Sequence, residues 1–219
     1  AAIVSYPQMG LYPQKLAALP SDQRWKAHEW VLAPRPQSVA FMSEVLAEVM
    51  ELFQSPYIHI GGDEANIAHW KTSDEMQALI RQLGLKDEAE LHSWFIRQMD
   101  AFLTQHGRRL VGWDEILQGG LAPGAVVMSW RGQEGGITAA KAGHAVVMAP
   151  TSHTYFDFYQ GPVASEPKAI GGDLPLEKVF QFEPVPPALD ADQAKQILGG
   201  QGQLWGEFIP DAKHRDYMA

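Results

Sequence analysis

Polar and aromatic residues gather at five points of this 219-residue sequence. The five clusters are Asp63-Glu64, Trp113-Asp114-Glu115, Trp130-Arg131, Tyr155 with Asp157 and Tyr159, and Trp205 with Glu207. Indole and phenol rings offer flat faces to the C–H faces of a sugar ring, and carboxylates accept hydrogen bonds from its hydroxyls. A neutral polyol bound among tryptophans, beside carboxylates that can transfer protons, indicates glycoside chemistry.

Other classes of function lack their signatures. The sequence has no Gly-x-Gly-x-x-Gly motif, no phosphate loop of the Gly-x-x-x-x-Gly-Lys-Ser/Thr type, no cysteine and no histidine spacing typical of a metal site. We therefore predict no cofactor and no bound metal. The net charge of −9 argues against a nucleic-acid partner, and no apolar run is long enough to span a membrane.

The elements that must position the five clusters alternate between strands and helices. The predicted strands are 57–60, 109–113, 125–130, 145–149 and a segment within 197–205. The predicted helices run from Ser38 to before Pro56, and over 74–83, 88–106, 135–142 and 191–196. The strands are continuous apolar runs, which is typical of a parallel sheet covered by helices. Each cluster follows the carboxyl end of a strand, where parallel α/β folds bind their ligands.

Further expectations concern the helices and loops. Ser38 is predicted to cap the first long helix, whose apolar stripe is Phe41, Val45, Val49 and Phe53. The helix over 88–106 has its own stripe, Leu91, Phe95, Met99 and Phe102. Residues 1–37 and 160–187 are predicted to be loops, the latter with some helical content. Trp70 and Trp94 are expected in the core, whereas Trp25 and Trp30 could either pack there or line a cleft.

Five segments together resemble a known family. His59-Ile60-Gly61-Gly62-Asp63-Glu64 resembles the His-x-Gly-Gly-Asp-Glu signature of family 20 glycoside hydrolases, the β-N-acetylhexosaminidases. The segments Gly112–Ile116, Ser129–Gly132, Tyr155–Asp157 and Leu204–Glu207 are similar to later motifs of that family, in the same order. The agreement extends from about residue 5 to residue 218.

The resemblance implies a (β/α)8 TIM-type barrel. A barrel of this type needs eight strands and about 250 residues, whereas five strands are predicted here. We therefore expect residues 1–219 to be a partial catalytic barrel with about strands 4 to 8, lacking the first three strands and any preceding α+β domain. Such a chain is expected to be unstable alone, to self-associate or to need complementation from another chain.

The resemblance also implies an activity and roles for individual residues. The activity is the removal, with retention, of terminal β-linked GlcNAc or GalNAc from a glycan, through an oxazolinium intermediate formed by the substrate's own acetamide. Glu64 would be the general acid and later the base, Asp63 would accept the acetamide N–H, and Tyr155 would donate to the acetamide oxygen.

The remaining site residues would bind the sugar. Trp113, Trp130 and Trp205 would form the walls of the pocket, Asp157 and Glu207 would accept from hydroxyls, and His59 would support the acidic pair from behind. Independent of the family, adjacent residues on an extended strand point to opposite faces, so Asp63 and Glu64 are awkward as an acid and its paired nucleophile. Members of the family tend to be exported or lysosomal.

Less specific interpretations remain beside these. Gly61-Gly62 could be a flexible turn and Asp63-Glu64 the first turn of a helix, stabilised by its dipole. Asp114-Glu115 is a second acidic pair at a strand end, for which we favour a supporting or capping role. The alternative to an enzyme is a non-catalytic sugar-binding or inactive barrel fragment.

Overall fold

A computed structural model describes residues 2–20, 23 and 31–208 of the chain. The fold divides into two compact units, Ala1–Ala125 and Val126–Ala219, which are described here one at a time. Trp25 and Trp30 lie outside the described residues. In the described part, no helix combines the length and apolarity that crossing a membrane requires.

The described part of the first unit contains six α-helices, two 3-10 helices and two parallel strands. Its helices are α1 Ala2–Ser5, α2 Pro13–Ala18, α3 Pro36–Leu52, α4 Ala68–Lys71, α5 Asp74–Leu83 and α6 Glu88–Gln105, and short 3-10 helices cover Pro7–Met9 and Asp114–Leu117. Its strands are β1 Tyr57–His59 and β2 Arg109–Trp113, which pair in parallel with Ile58 opposite Leu110. Helix α6 packs against both α3 and β2 and so covers the strands.

Helices α5 and α6 form where the sequence predicts them, and each has local signals that explain its start. The Ser73 hydroxyl accepts a hydrogen bond from the N–H of Met76, and the Asp87 carboxylate accepts one from the N–H of Glu90. Gly84 ends α5 in the left-handed conformation. Trp70 is buried in the core beside Met76 and Leu91, as predicted, and Trp94 packs partly buried against the same cluster.

Two predictions about the N-terminal part are wrong. Residues 1–37 are not a continuous loop, because α1, α2 and a 3-10 helix form there, and prolines start two of these elements. Helix α3 begins at Pro36 rather than at a Ser38 cap: the side chain of Ser38 is buried inside the helix and contacts Met9. Arg35 fixes this start by donating two hydrogen bonds to Glu75 and one to the carbonyl of Gly10.

The burial of α3 and β1 also differs from the prediction. The buried residues of α3 are Ser38, Leu46 and Met50, whereas Phe53 is 61% exposed. In β1, only Ile58 is buried, and its neighbours Tyr57 and His59 are exposed. An apolar groove of about 350 Å³ runs along this strand, with Val45 and Val49 of α3 in its wall.

The described part of the second unit, residues 126–208, contains three parallel strands. They are β3 Val126–Ser129, β4 Val146–Met148 and β5 Ile197–Gly200; β4 pairs with both β3 and β5 in parallel. The helices are α7 Glu134–Lys141, α8 Thr151–Thr154, α9 Leu176–Phe180 and α10 Ala191–Ala194, with a 3-10 helix at Val163–Ser165. Strand β3 is buried throughout, as expected for an interior parallel strand.

Candidate active site

The predicted acidic pair lies on a turn that directly follows β1, and we call Gly61–Glu64 the acidic turn. Gly61 and Gly62 have φ values of 77° and 94°, in the left-handed region that favours glycine. Glu64 also has a positive φ, of 47°, which no other non-glycine residue of the described part has. Both carboxylate residues, Asp63 and Glu64, are exposed.

This backbone corrects two expectations. Glu64 is a bend residue in the left-handed region, so the argument from alternating faces of an extended strand does not apply to the pair. The interpretation of Asp63-Glu64 as the first turn of a helix is wrong, because α4 begins only at Ala68. A left-handed conformation costs a residue other than glycine about 1–2 kcal/mol, and such costs concentrate at functional sites.

Close packing beneath the acidic turn explains why a glycine is required at position 62 and at the neighbouring position 112 of β2. A Cβ atom on Gly62 would lie 2.7 Å from Cγ2 of Ile116. A Cβ atom on Gly112 would lie 2.8 Å from the same methyl group and 3.1 Å from the carbonyl oxygen of Gly61. Ile116 is fully buried, so it has little room to yield.

His59 and Trp113 hold the acidic turn at its start. The Gly61 N–H donates to Nδ1 of His59 over 3.0 Å, and the Gly61 carbonyl accepts from the N–H of Trp113 over 2.9 Å. The rings of His59 and Trp113 meet edge to face with their centroids 4.8 Å apart. Loss of hydration lowers the pKa of His59 below its usual value, and the charge of Asp63 opposes that shift.

The second acidic pair, Asp114-Glu115, has a different environment. Both residues are buried and form the first turn of the 3-10 helix Asp114–Leu117, directly after β2. The first acidic pair is exposed, whereas this pair is not. Burial is what the favoured supporting role requires, and that role remains a prediction.

In the second unit, Tyr155 is the centre of an aromatic cluster, which we define as Trp130, Tyr155, Phe158 and Trp205. The Tyr155 ring stacks on Trp130 at 6.3 Å between centroids and lies 5.7 Å from Phe158 and 6.5 Å from Trp205. Tyr155 is 8% exposed, whereas Trp205 is 40% exposed. The cluster therefore has a buried centre and one open edge, a form that can receive a flat apolar face.

Backbone hydrogen bonds fix the segment that carries Tyr155. The N–H of Gln203 donates to the carbonyl of Thr154, and the N–H of Phe156 donates to the carbonyl of Gln203. These two bonds flank Tyr155 and pair it with Gln203 beyond the end of β5. At the end of β3, the buried Ser129 hydroxyl accepts from the N–H of Gly136 and donates to the carbonyl of Gly132, which holds the loop after Trp130.

Asp157 and Glu207, the two predicted hydroxyl acceptors, interact electrostatically. Burial raises the pKa of Asp157 above its usual value, its own backbone N–H opposes the rise, and the Glu207 charge adds to it. Oδ1 of Asp157 is buried without a hydrogen-bond partner in the described part of the chain. A buried acceptor of this kind is ready for a ligand hydroxyl.

Each unit therefore brings together part of the predicted site. In the first unit these are His59, Asp63, Glu64 and Trp113, and in the second unit they are Trp130, Tyr155, Asp157, Trp205 and Glu207. The sequence interpretation assigned no role to Ser129 or Gln203, because a single serine or glutamine has no distinctive spacing from the other site residues. It also missed buried His92 on α6, since its position falls one residue from the apolar stripe.

Parallel strands that lead into an exposed acidic turn and an aromatic cluster are typical of a carbohydrate-active α/β domain. Comparison with known proteins is more specific. The family model described as "Glycosyl hydrolase family 20, catalytic domain" matches residues 1–219. The chain belongs to glycosyl hydrolase family 20. The resemblance seen in the sequence is thus confirmed at the level of the family.

Curated relatives and solved structures agree with this assignment. A β-hexosaminidase of Porphyromonas gingivalis is 46% identical over 100% of this chain and 28% of its own length. A β-hexosaminidase of Vibrio furnissii is 35% identical over 86% of this chain and 31% of its own length. The crystal structure of a GH20 exo-β-N-acetylglucosaminidase from Vibrio harveyi, in complex with N-acetylglucosamine, aligns with a TM-score of 0.74 and 36% identity, over 86% of this chain and 30% of that one.

The chain spans about a third or less of the length of these relatives. The family and the parallel α/β fold are therefore properties of the chain itself, while the activity belongs to proteins that are about three times longer.

Proposed function

We propose that the chain is the acid-bearing part of a retaining, exo-acting β-N-acetylhexosaminidase. The observation that carries the proposal is the acidic turn: two adjacent, exposed carboxylates at one strand end, directly after Gly62, where the packing of Ile116 leaves no room for a Cβ atom. Rigid placement is what general acid catalysis needs, because the acid must meet the leaving-group oxygen within hydrogen-bond reach. The Vibrio harveyi protein, an exo-β-N-acetylglucosaminidase solved with N-acetylglucosamine, supports the exo mode and the sugar class.

In this proposal Glu64 protonates the leaving oxygen and then activates a water molecule. The substrate's acetamide oxygen attacks the anomeric carbon and forms a cyclic oxazolinium, so the nucleophile is not a residue of the protein. Asp63 accepts the acetamide N–H and balances the positive charge of the intermediate. The exposure of both carboxylates is compatible with these roles, since both must reach a ligand.

The second unit contributes the sugar-binding groups. The Tyr155 hydroxyl donates to the acetamide oxygen and orients it for attack, and the packing of its ring among three aromatic neighbours limits its rotation. Trp113, Trp130 and Trp205 provide walls for the acetamide and the sugar face. Asp157, with its unpartnered buried oxygen, and Glu207 accept from sugar hydroxyls.

The five strands are also proposed to be part of an eight-stranded (β/α)8 barrel. The exposed residues of β1, the apolar groove beside it and the small share of the relatives that the chain covers support this proposal. A strand beside β1, from whichever polypeptide supplies it, would cover the groove. Sedimentation of the 219-residue chain tests this directly: we expect self-association or an unfolded chain, and a stable, active monomer would contradict it.

The activity test uses the natural polypeptide that contains these 219 residues. We expect release of 4-nitrophenol from the β-N-acetylglucosaminide and very little from the β-glucoside, which lacks the internal nucleophile. An N-trifluoroacetyl substrate should react at least about tenfold more slowly, because fluorine withdraws electrons from the attacking oxygen. Equal rates on the three substrates would contradict the substrate-assisted mechanism.

Paired variants assign the acid. Glu64→Gln keeps the shape of the side chain but cannot donate its proton, so we expect kcat to fall by about 10²–10⁴-fold. Glu115→Gln, in the buried second pair, is the matched control and should cost far less. The opposite order would place the chemistry at Asp114-Glu115. No activity in the natural polypeptide, together with retained binding of GlcNAc, would favour the non-catalytic sugar-binding alternative.

A further inference from the structure

The side chain of His59 bonds the backbone at the start of the acidic turn. Its Nδ1 accepts the Gly61 N–H over 3.0 Å, while its ring contacts the edge of Trp113. The Gly61 carbonyl is bound in turn by the N–H of Trp113. Gly61 is thus held on both sides, by an imidazole on one and by strand β2 on the other, immediately before the chain turns into Asp63 and Glu64.

The hydrogen bond from the Gly61 N–H to His59 can form only when Nδ1 of the imidazole carries no proton. Nδ1 can accept a hydrogen bond only in the neutral ring whose proton is on Nε2, because imidazolium has an N–H at both positions. If Nδ1 carried a proton, it would be a donor, and two N–H donors would face each other. The bond would break, and the left-handed residues that follow would lose their anchor.

The surroundings of His59 favour the neutral form. Packing around the ring lowers the pKa of His59, even though the residue as a whole remains exposed. Asp63 is the charged group that acts in the opposite direction. His92 of α6 lines the same groove as His59, and burial lowers its pKa as well, so it adds no positive charge near neutral pH.

The geometry points to His59 as the positioning residue of the acidic turn, active only while its Nδ1 is free to accept from Gly61. This inference rests on the proposed function, and it adds a second group that must be deprotonated for activity. Asp63 must be ionised to stabilise the oxazolinium, and His59 must be neutral to hold the turn. Activity should therefore fall as the pH decreases below the usual histidine range and His59 takes up a proton.

Three substitutions at position 59 separate these roles. In His59→Asn, Oδ1 stands two bonds from Cβ, as Nδ1 does, and can accept from Gly61 at any pH. In His59→Gln the acceptor is one bond farther away, and His59→Leu has no acceptor. We expect kcat at pH 7 to stay within about threefold in the Asn variant and to fall by roughly tenfold in the Leu variant, which corresponds to one lost hydrogen bond. The Gln variant should resemble Leu.

The pH profile is the readout that a merely structural role would not change. We expect the acid limb of kcat to move to lower pH in His59→Asn, because this variant has no imidazole at position 59 to protonate. His92→Asn is the matched control, because it replaces another histidine of the groove and should leave the acid limb in place. An unchanged acid limb in His59→Asn, or equal losses in the Asn and Leu variants, would overturn the inference.

Hydrogen–deuterium exchange of the natural polypeptide tests the bond without any activity. The peptide that spans Gly61 should exchange faster in His59→Leu than in the wild type, and at the wild-type rate in His59→Asn. If the wild type releases no sugar, the proposed function fails while the exchange result still decides the role of His59. Equal exchange in all variants would refute that role whether or not the protein is an enzyme.

Discussion

The acidic turn in the first unit and the aromatic cluster in the second are both parts of the predicted site, yet they are built in opposite ways. In the acidic turn, backbone conformation and glycine contacts fix the position, and the two carboxylate residues proposed for catalysis are exposed. In the aromatic cluster, the ring of Tyr155, proposed to orient the substrate, is buried and is held by other rings. One part is shaped by the main chain and the other by side chains.

This difference has a consequence for tolerance to mutation. A backbone turn stacked on a buried isoleucine cannot relax without moving strands β1 and β2. Aromatic rings with an open edge can rotate or shift outward at a smaller cost. The following predictions test this contrast, from the largest expected effect to the smallest.

The largest effect is expected from a single methyl group beneath the acidic turn. Gly62→Ala places a Cβ atom 2.7 Å from Ile116 at a φ of 94°, so overpacking adds to backbone strain. The two effects together should lower the free energy of unfolding by about 2–5 kcal/mol. Denaturant unfolding measures this change.

Gly202→Ala is the matched change in the second unit. Its new Cβ atom would overlap the ring of Phe156, which is exposed and can turn away. We expect a loss of about 1 kcal/mol or less. A larger loss at Gly202 than at Gly62 would contradict the contrast between the two regions.

A substitution at Glu64 is expected to raise the stability, by an amount smaller than the loss at Gly62. Glu64→Asn places a residue that tolerates the left-handed region at the φ of 47°. We expect a gain of about 0.5–1 kcal/mol in stability, or a rise of about 1–4 °C in Tm, with loss of activity.

Asp63→Asn provides the control for this measurement, because residue 63 does not have a positive φ. It should lose activity without the rise in Tm. Stabilisation of both variants to the same extent would show that removal of negative charge, rather than relief of backbone strain, is responsible.

The smallest effect concerns the pH dependence of stability at Asp157. Its folded-state pKa is raised, mainly by burial, so the folded protein binds the proton more readily than the unfolded chain. Stability should therefore fall as the pH rises from the unfolded pKa through the raised folded value, and stay level above it. Asp157→Asn cannot ionise and so avoids this loss of stability. Its Tm should exceed that of the wild type near pH 7 and approach it at low pH.

Glu207→Gln sharpens the same measurement, because the Glu207 charge is the lesser cause of the raised pKa of Asp157. In this variant, the pH range over which stability falls as Asp157 loses its proton should move to lower pH, but the fall itself should remain. A Tm difference between Asp157→Asn and wild type that persists unchanged at low pH would refute the assigned cause.

Much of this architecture could be predicted from local signals. Strand β2 has the predicted bounds, and α5 and α6 agree to within a residue, because capping residues and periodicity act over a few positions. Ser38 was predicted wrongly since a serine cap and a buried serine look alike in sequence, and Pro36 provided the stronger start. The stripe of α3 and the exposure of β1 depend on what packs beside them, which no local pattern encodes.

The family, the alternation of strands and helices and a set of candidate site residues follow from the sequence alone, because motif order and side-chain type are properties of the linear chain. The way in which these residues are held follows only from the folded structure. The methyl group of Ile116 beneath Gly62 and the hydrogen bond from the Trp113 N–H to the Gly61 carbonyl arise where separate segments meet. Such contacts depend on distances between residues far apart in sequence, and a linear pattern does not contain them.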